Sequence, residues 1–244
     1  MCELFGLSCN KKDRATLSLP VFKEKAHKFK ADDGWGIAYY DEKGNVKIVT
    51  ETKQAFLSER FSKLIEEAKG NIIIAHVRLK ASHGADVCKK NCHPFVDLYR
   101  ERPWVFAHNG TINDIDYPAD RIGGETDSAK AFQFMMDNIM EYQNQGRIRG
   151  TYPAIMNSIK KVFNSYGKET RFNFLLSDGI NLYAFHHYKG KPIYFLRREK
   201  NYGGAILLST RKLSQEYWQK IPEDRLLVIS RGEILVLSDR YSEF

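Results

Sequence analysis

The chain has 244 residues, of which 43% are hydrophobic and 28% charged, with a formal net charge of +8 at pH 7. This is an ordinary globular composition with enough chain to bury a sizeable core; no apolar run approaches the ~18 residues that a membrane helix needs. The four cysteines are too few for a disulfide framework, and no signal-peptide pattern opens the chain, so the expectation is a cytoplasmic protein with reduced thiols and a single domain over residues 2–244.

From the N-terminus, "ELFGLSC" (3–9) reads as a strand. The densest basic run, "FKEKAHKFK" (22–30), contains a glutamate and has no nucleic-acid-binding motif beside it, so it reads as a solvated face rather than a nucleic-acid surface. "GWGIAYYD" and "VKIVTE" then form a hairpin through "DEKGN". "SERFSKLIEEAK" has helical periodicity, with Phe61, Leu64, Ile65 and Ala68 on one face and Ser58-Glu59 as start signals. "NIIIAHVR" and "WVFAHNG" are strand-like.

A long helix is predicted over "TDSAKAFQFMMDNIMEYQ", with Ala131, Phe132, Met135 and Ile139 as its apolar stripe. Another is predicted over "YPAIMNSIKKVFNSYG", from Pro153 to Gly167. Six strands close the chain: "FNFLLSD" paired through "SDGIN" with "NLYAFHH", then "PIYFLR", "GAILLST", and "RLLVIS" paired through "SRGE" with "EILVLSD". Many antiparallel strands with few helices define an α+β class, and two face-to-face sheets with helices outside would use every element.

Cys2 carries the first chemical signal. If Met1 is removed, the thiol and the new α-amino group share one Cα, a nucleophile with a base attached. The other reading of Cys2 is a small hydrophobe opening a buried strand. Arg78 ends an apolar run, where its planar fork suits a carboxylate. Asn109-Gly110 offers an amide and a backbone N–H to an oxyanion, or else a common turn dipeptide. Asp127 opens the long helix, where a carboxylate also stabilises the N-terminus.

With Cys2, the stretches "MCELFG", "DGWGIAYY", "AHVR", "NCHPF", "FAHNGTI" and "GETDS" resemble the glutaminase domain of class-II glutamine amidotransferases, which are N-terminal-nucleophile hydrolases; the likeness is to the free-standing, YafJ-like branch. It runs from residue 2 to about residue 135. It implies a four-layer α-β-β-α sandwich with two mainly antiparallel sheets. It also implies Cys2 as nucleophile, Asn109 and Gly110 as oxyanion hole, Arg78 on the substrate's α-carboxylate and Asp127 on its α-ammonium. Ser82 and His83 would line the pocket, although "LKASHG" departs from the tighter loop of related enzymes and reads as one residue longer.

The resemblance implies no cofactor. "HGADVCKKNCHPF" holds His83, Cys88, Cys92 and His93, soft ligands that zinc accepts, but the spacing is not that of paired C-x2-C knuckles, so no metal is expected. His186 and His187 should point to opposite strand faces, one buried and one exposed. The expected partner is a small molecule, glutamine or a γ-glutamyl compound, with neither nucleic acid nor membrane. At this length no synthase domain is expected within the chain. That leaves a glutaminase working with a synthase or hydrolase subunit, a stand-alone γ-glutamyl hydrolase, or an inactive regulatory or scaffold protein of the same fold.

Overall fold

The computed structural model describes residues 2–29, 31, 33–41, 43–79, 85–145, 150–199 and 203–243. In chain order the elements are β1 (Glu3–Asp13), α1 (Leu19–Lys28), β2 (Trp35–Tyr40), β3 (Val46–Glu51), α2 (Glu59–Glu67), β4 (Gly70–Val77), β5 (Phe95–Tyr99) and β6 (Arg102–Thr111). There follow α3 (Asp127–Asn144), α4 (Thr151–Tyr166), β7 (Arg171–Ser177), β8 (Asn181–His186), β9 (Tyr194–Arg198), β10 (Ala205–Ser209), β11 (Gln219–Lys220), β12 (Arg225–Ser230) and β13 (Glu233–Leu237).

The strands form two sheets. One has the order β11-β9-β10-β1-β4-β2-β3, the other β13-β12-β8-β7-β6-β5. Every neighbouring pair is antiparallel. The period-2 alternation of the strands sorts side chains between layers. Along β1, Phe5, Leu7 and Cys9 face the layer of α1 and α2, which contributes Leu19, Phe22, Phe61 and Leu64. Leu4 faces the opposite way, into the seam between the sheets, with Ile72, Ile74, Val105, Ala107 and Leu175. Beyond the second sheet, Phe106, Phe172 and Phe174 pack on Phe132, Met135 and Ile159 of α3 and α4. The layers are therefore α-β-β-α, the expected sandwich.

The three expected helices form, each shifted by one or two residues at its ends. Ser58 caps α2 by accepting from Phe61 N at 3.0 Å, and Thr126 caps α3 by accepting from Ala129 N at 3.1 Å. The three expected hairpins also form. The basic run around residues 22–30 is a correction: its first part lies in α1, with Leu19, Phe22 and Ala26 fully buried. Pro20 near the start and apolar residues at three- and four-residue spacing were its signal, masked by four lysines. Strands β5 and β11 were also unforeseen. Among the described residues, no helix is long and apolar enough to cross a membrane.

Candidate active site

The site forms at one end of the sandwich, where β1 starts and β4 and β6 end. Glu3 pairs with Val77 in the register of β1 and β4, so Cys2, one residue earlier, lies beside the segment leaving β4. The Leu79 N–H points at the Cys2 sulfur at 3.4 Å, and the sulfur lies 3.5 Å from the Leu79 carbonyl oxygen. Cys2 shares the strand parity of Leu4 and so faces the seam. On β6, Asn109 shares the parity of Val105 and Ala107 and faces it from the other sheet. The two meet there: Asn109 Nδ2 donates to the Cys2 carbonyl oxygen.

Pairing of β5 with β6 ends at Phe106, while pairing of β6 with β7 runs on to Thr111. One edge of β6 is therefore open around Asn109 and Gly110. Gly110 has a steric reason as well: a Cβ there would lie 1.8 Å from the Arg171 carbonyl oxygen.

Cys2, Arg78, Gly110 and Asp127 line one cavity of about 620 Å³, together with His93 and His108. Asn109 stands behind it, 1% exposed. Ser82 and His83 fall outside the described residues, as does Met1. Arg78 is buried, and its guanidinium donates to the carbonyl oxygens of Ala85 at 2.7 Å and Asp86 at 3.2 Å. Asn91 ties this loop to the next, donating to Asp86 O at 3.1 Å and accepting from Glu125 N at 2.8 Å. The carboxylate of Asp127 accepts from Ile112 N at 2.9 Å and from Ser128 N at 2.8 Å. It is thus fixed at the start of α3 with an oxygen turned to each neighbouring segment.

Burial pushes the Cys2 thiol up from its ordinary value; the Leu79 N–H and the charges of Lys191 and Arg78 oppose that rise. His93 and His108 line the cavity and His76 lies behind His93, and all three titrate below their ordinary range because burial disfavours the cation. His76 is pushed down to about 3, and His93 and His108 are also lowered. His93 Nδ1 lies 3.0 Å from His76 Nε2. His108 Nε2 lies 3.1 Å from the Arg171 carbonyl, which can only accept, so the proton is on Nε2 and Nδ1 accepts from Ser128 Oγ at 2.8 Å.

Sequence reasoning singled out His93 only as a potential zinc ligand and passed over His76, His108, Asn91 and Ser128. Each lies next to or within the motifs "AHVR", "KNCHPF", "FAHNG" and "GETDS". The Cys92 sulfur lies 3.4 Å from the Cys88 carbonyl oxygen, and the described residues contain no group of three metal-ligating side chains. His186 is buried, with Nδ1 2.8 Å from the Ile221 carbonyl oxygen. His187 is a correction: it lies past the end of β8 and is half-buried, held 2.5 Å from an Asp224 carboxylate oxygen rather than exposed.

A seven-stranded and a six-stranded antiparallel sheet between helical layers, with a cysteine at the head of a central strand, form the α-β-β-α sandwich that the resemblance implied. The family model for class-II glutamine amidotransferases matches residues 1–208, and the chain belongs to that family. An uncharacterised protein of Methanocaldococcus jannaschii is 31% identical, the alignment covering 100% of this chain and 73% of that protein. The Escherichia coli protein YafJ is 30% identical over 94% of this chain and 89% of its own. The fold resembles the crystal structure of a predicted glutamine amidotransferase from Pseudomonas aeruginosa, with TM-score 0.65 at 20% identity, covering 96% of this chain and 100% of that one. It also resembles glutamine phosphoribosylpyrophosphate amidotransferase from B. subtilis, with TM-score 0.68 at 14% identity, covering 98% of this chain and 49% of that one.

Proposed function

We propose that the chain hydrolyses the γ-amide of glutamine through a thioester on Cys2, releasing ammonia and glutamate. The observation that carries this reading is the convergence of Cys2, Arg78, Gly110 and Asp127 on one cavity, with Asn109 against Cys2. Each group then has a separate task around one small substrate. Arg78, aimed by Ala85 and Asp86, takes the α-carboxylate through a donor that these carbonyls leave free. Asp127 takes the α-ammonium. A site that reads both ends of an amino acid selects a γ-glutamyl group over simple amides.

The chemistry follows in two balanced halves. With Met1 removed, the α-amine of Cys2 accepts the thiol proton, and the thiolate attacks the γ-carbonyl carbon. Negative charge moves to the oxygen, where Asn109 Nδ2–H and the Gly110 N–H stabilise it. The tetrahedral adduct collapses as the α-ammonium returns the proton to the leaving nitrogen. Ammonia departs and a thioester remains. Water, deprotonated by the same amine, cleaves the thioester to glutamate and restores the thiol.

The test is ammonia release from glutamine by protein whose Met1 is shown by mass to be absent, with Cys2→Ser alongside. Release of glutamate and amine from γ-glutamyl peptides is measured in parallel. Ammonia release that depends on Cys2 supports the reading. Faster turnover of γ-glutamyl peptides would favour a stand-alone γ-glutamyl hydrolase, and silence on both would favour a regulatory or scaffold role.

A further inference from the structure

Directly behind Cys2 lies a buried ionic cluster that neither the sequence motifs nor the proposed chemistry uses. Glu3 is fully buried, the residue after Cys2 and the first of β1. Its carboxylate takes Lys191 Nζ at 3.0 Å and Arg211 Nε at 3.0 Å, and accepts the Thr210 hydroxyl. Lys191 is itself only 3% exposed. Its ammonium reaches past Glu3 to the Cys2 carbonyl oxygen, 2.6 Å away. Both lone pairs of that carbonyl are therefore engaged, one by Lys191 and one by Asn109.

The segment carrying Lys191 is pinned from below. Asn173, buried on β7, donates to the Lys191 carbonyl oxygen at 2.7 Å, and the Lys191 N–H donates to Tyr188 O at 3.0 Å. The side chain thus leaves a fixed backbone and ends between two fixed oxygens.

We propose that Lys191 is a positioning residue for Cys2: its ammonium, anchored on Glu3, fixes the orientation of the nucleophilic residue and places a positive charge beside the thiol. The inference rests on the reading of Cys2 as nucleophile.

Charge supports it. Of the two cations on Glu3, Arg211 is partly exposed and Lys191 is buried. Burial lowers the Lys191 pKa from its ordinary value, and the Glu3 carboxylate opposes that fall and favours the charged ammonium. A cation held beside Cys2 stabilises its thiolate by attraction.

Arg78 approaches Cys2 from the end of β4, and Asp114, Glu125, Asp127, His93 and His108 line the same cavity. The histidines are held neutral by burial. That leaves Lys191, Arg78 and Arg211 on Glu3 as the cations, and Lys191 is the one bonded to the backbone of Cys2.

The test compares wild type, Lys191→Gln and the double variant Glu3→Gln/Lys191→Met, all with Met1 removed, and uses Cys2→Ser as control. The readouts are kcat and KM for ammonia release from glutamine, the pH midpoint of iodoacetamide labelling at the Cys2 peptide, and Tm. The double variant removes both members of the pair and leaves half-exposed Arg211 to solvent, so it should keep Tm within about 5 °C.

Despite this it should lose about 30-fold or more in kcat with KM changed less than about threefold, and its labelling midpoint should rise by about one pH unit. Lys191→Gln, which keeps a donor but no charge, should show the same rise. Wild-type kcat and labelling in the folded double variant would reduce Lys191 to a counterion for Glu3 and overturn the inference. Should the double variant not fold, an unshifted midpoint in Lys191→Gln would overturn it equally. Ammonia release surviving in Cys2→Ser would instead overturn the nucleophile reading, and this inference with it.

Discussion

The side-chain amide nitrogen of Asn109 donates to the main-chain carbonyl oxygen of Cys2, across 107 positions of sequence and across the seam between the two sheets. An amide nitrogen carries two hydrogens, so one remains for a substrate oxygen. The partner oxygen, Asn109 Oδ1, is buried with no hydrogen-bond partner among the described residues. Such a group costs stability and is kept where a site uses it.

Asn109→Ala should therefore lower kcat for ammonia release by about 10²–10³, equivalent to ~2.7–4 kcal/mol, while leaving a cooperative unfolding transition. Steady-state kinetics together with thermal denaturation check both halves. Turnover near that of wild type would leave Asn109 as a brace for the Cys2 carbonyl and nothing more.

Gly110 is held by sterics where Asn109 is held by chemistry. A methyl group at residue 110 would collide with the Arg171 carbonyl and crowd His108 Nε2, both of which belong to the β6–β7 pairing and its supports. Gly110→Ala should cost about 3 kcal/mol of stability or more, since the clash is with backbone. Urea denaturation measures it. A loss below about 0.5 kcal/mol would show that β7 yields easily.

Which parts of this molecule could be read from the sequence follows from how local their causes are. Helix α3 was readable because Thr126, Asp127 and the Ala131–Ile139 stripe lie within one segment. The cavity residues were readable because each motif pairs a strand end with a polar residue out of place there. Helix α1 was missed because its three lysines are as many as its three buried apolar residues. Lys191 was invisible for another reason: its partners Cys2 and Glu3 are almost the whole chain away, and nothing in "YKGKPIY" marks one of two lysines as buried. His76 and His108 look like ordinary strand residues until the two sheets close over them.

Arg78 and Asp127 should separate binding from chemistry. Arg78→Lys removes the fork that bonds Ala85 O and Asp86 O, and Asp127→Asn removes a charge while keeping an acceptor for the Ile112 N–H. Each should raise KM for glutamine about 10–100-fold, the worth of one charged hydrogen bond, with kcat less affected. Kinetics with glutamine and with a γ-glutamyl amide lacking the α-ammonium test the assignment. Asp127→Asn should penalise glutamine only. Equal penalties on both substrates would mean that Asp127 serves α3 rather than the substrate.

The buried histidines set an acid limit on stability. A histidine held neutral in the folded state, with its pKa below the unfolded value of ~6.5, takes up a proton on unfolding at acid pH. Its stabilising contribution is complete above pH ~6.5 and shrinks as pH falls toward the folded value, which for His76 is about 3. His93 and His108 act in the same direction. Stability should thus fall between pH 6.5 and 5, by up to ~1.4 kcal/mol per pH unit for each histidine. Denaturation at a series of pH values should show a shallower slope in His76→Gln. An unchanged slope would mean that His76 takes its proton in the folded protein.

The last prediction concerns the nitrogen of Cys2. With Met1 attached that nitrogen is an amide, which accepts no proton near neutral pH. The thiol is already pushed up by burial, against which only the Leu79 N–H and nearby cations act. An unprocessed chain would carry little thiolate at pH 7 and no base to return a proton to ammonia. Activity should therefore track the fraction of chains that begin at Cys2. Preparations made with and without a co-expressed methionine aminopeptidase, weighed by mass spectrometry and assayed for ammonia release, should fall on a line through zero. A fully unprocessed batch with undiminished turnover would remove the α-amine from the mechanism. The base would then be sought among the groups that line the cavity, with the neutral His93 and His108 the ones to mutate first.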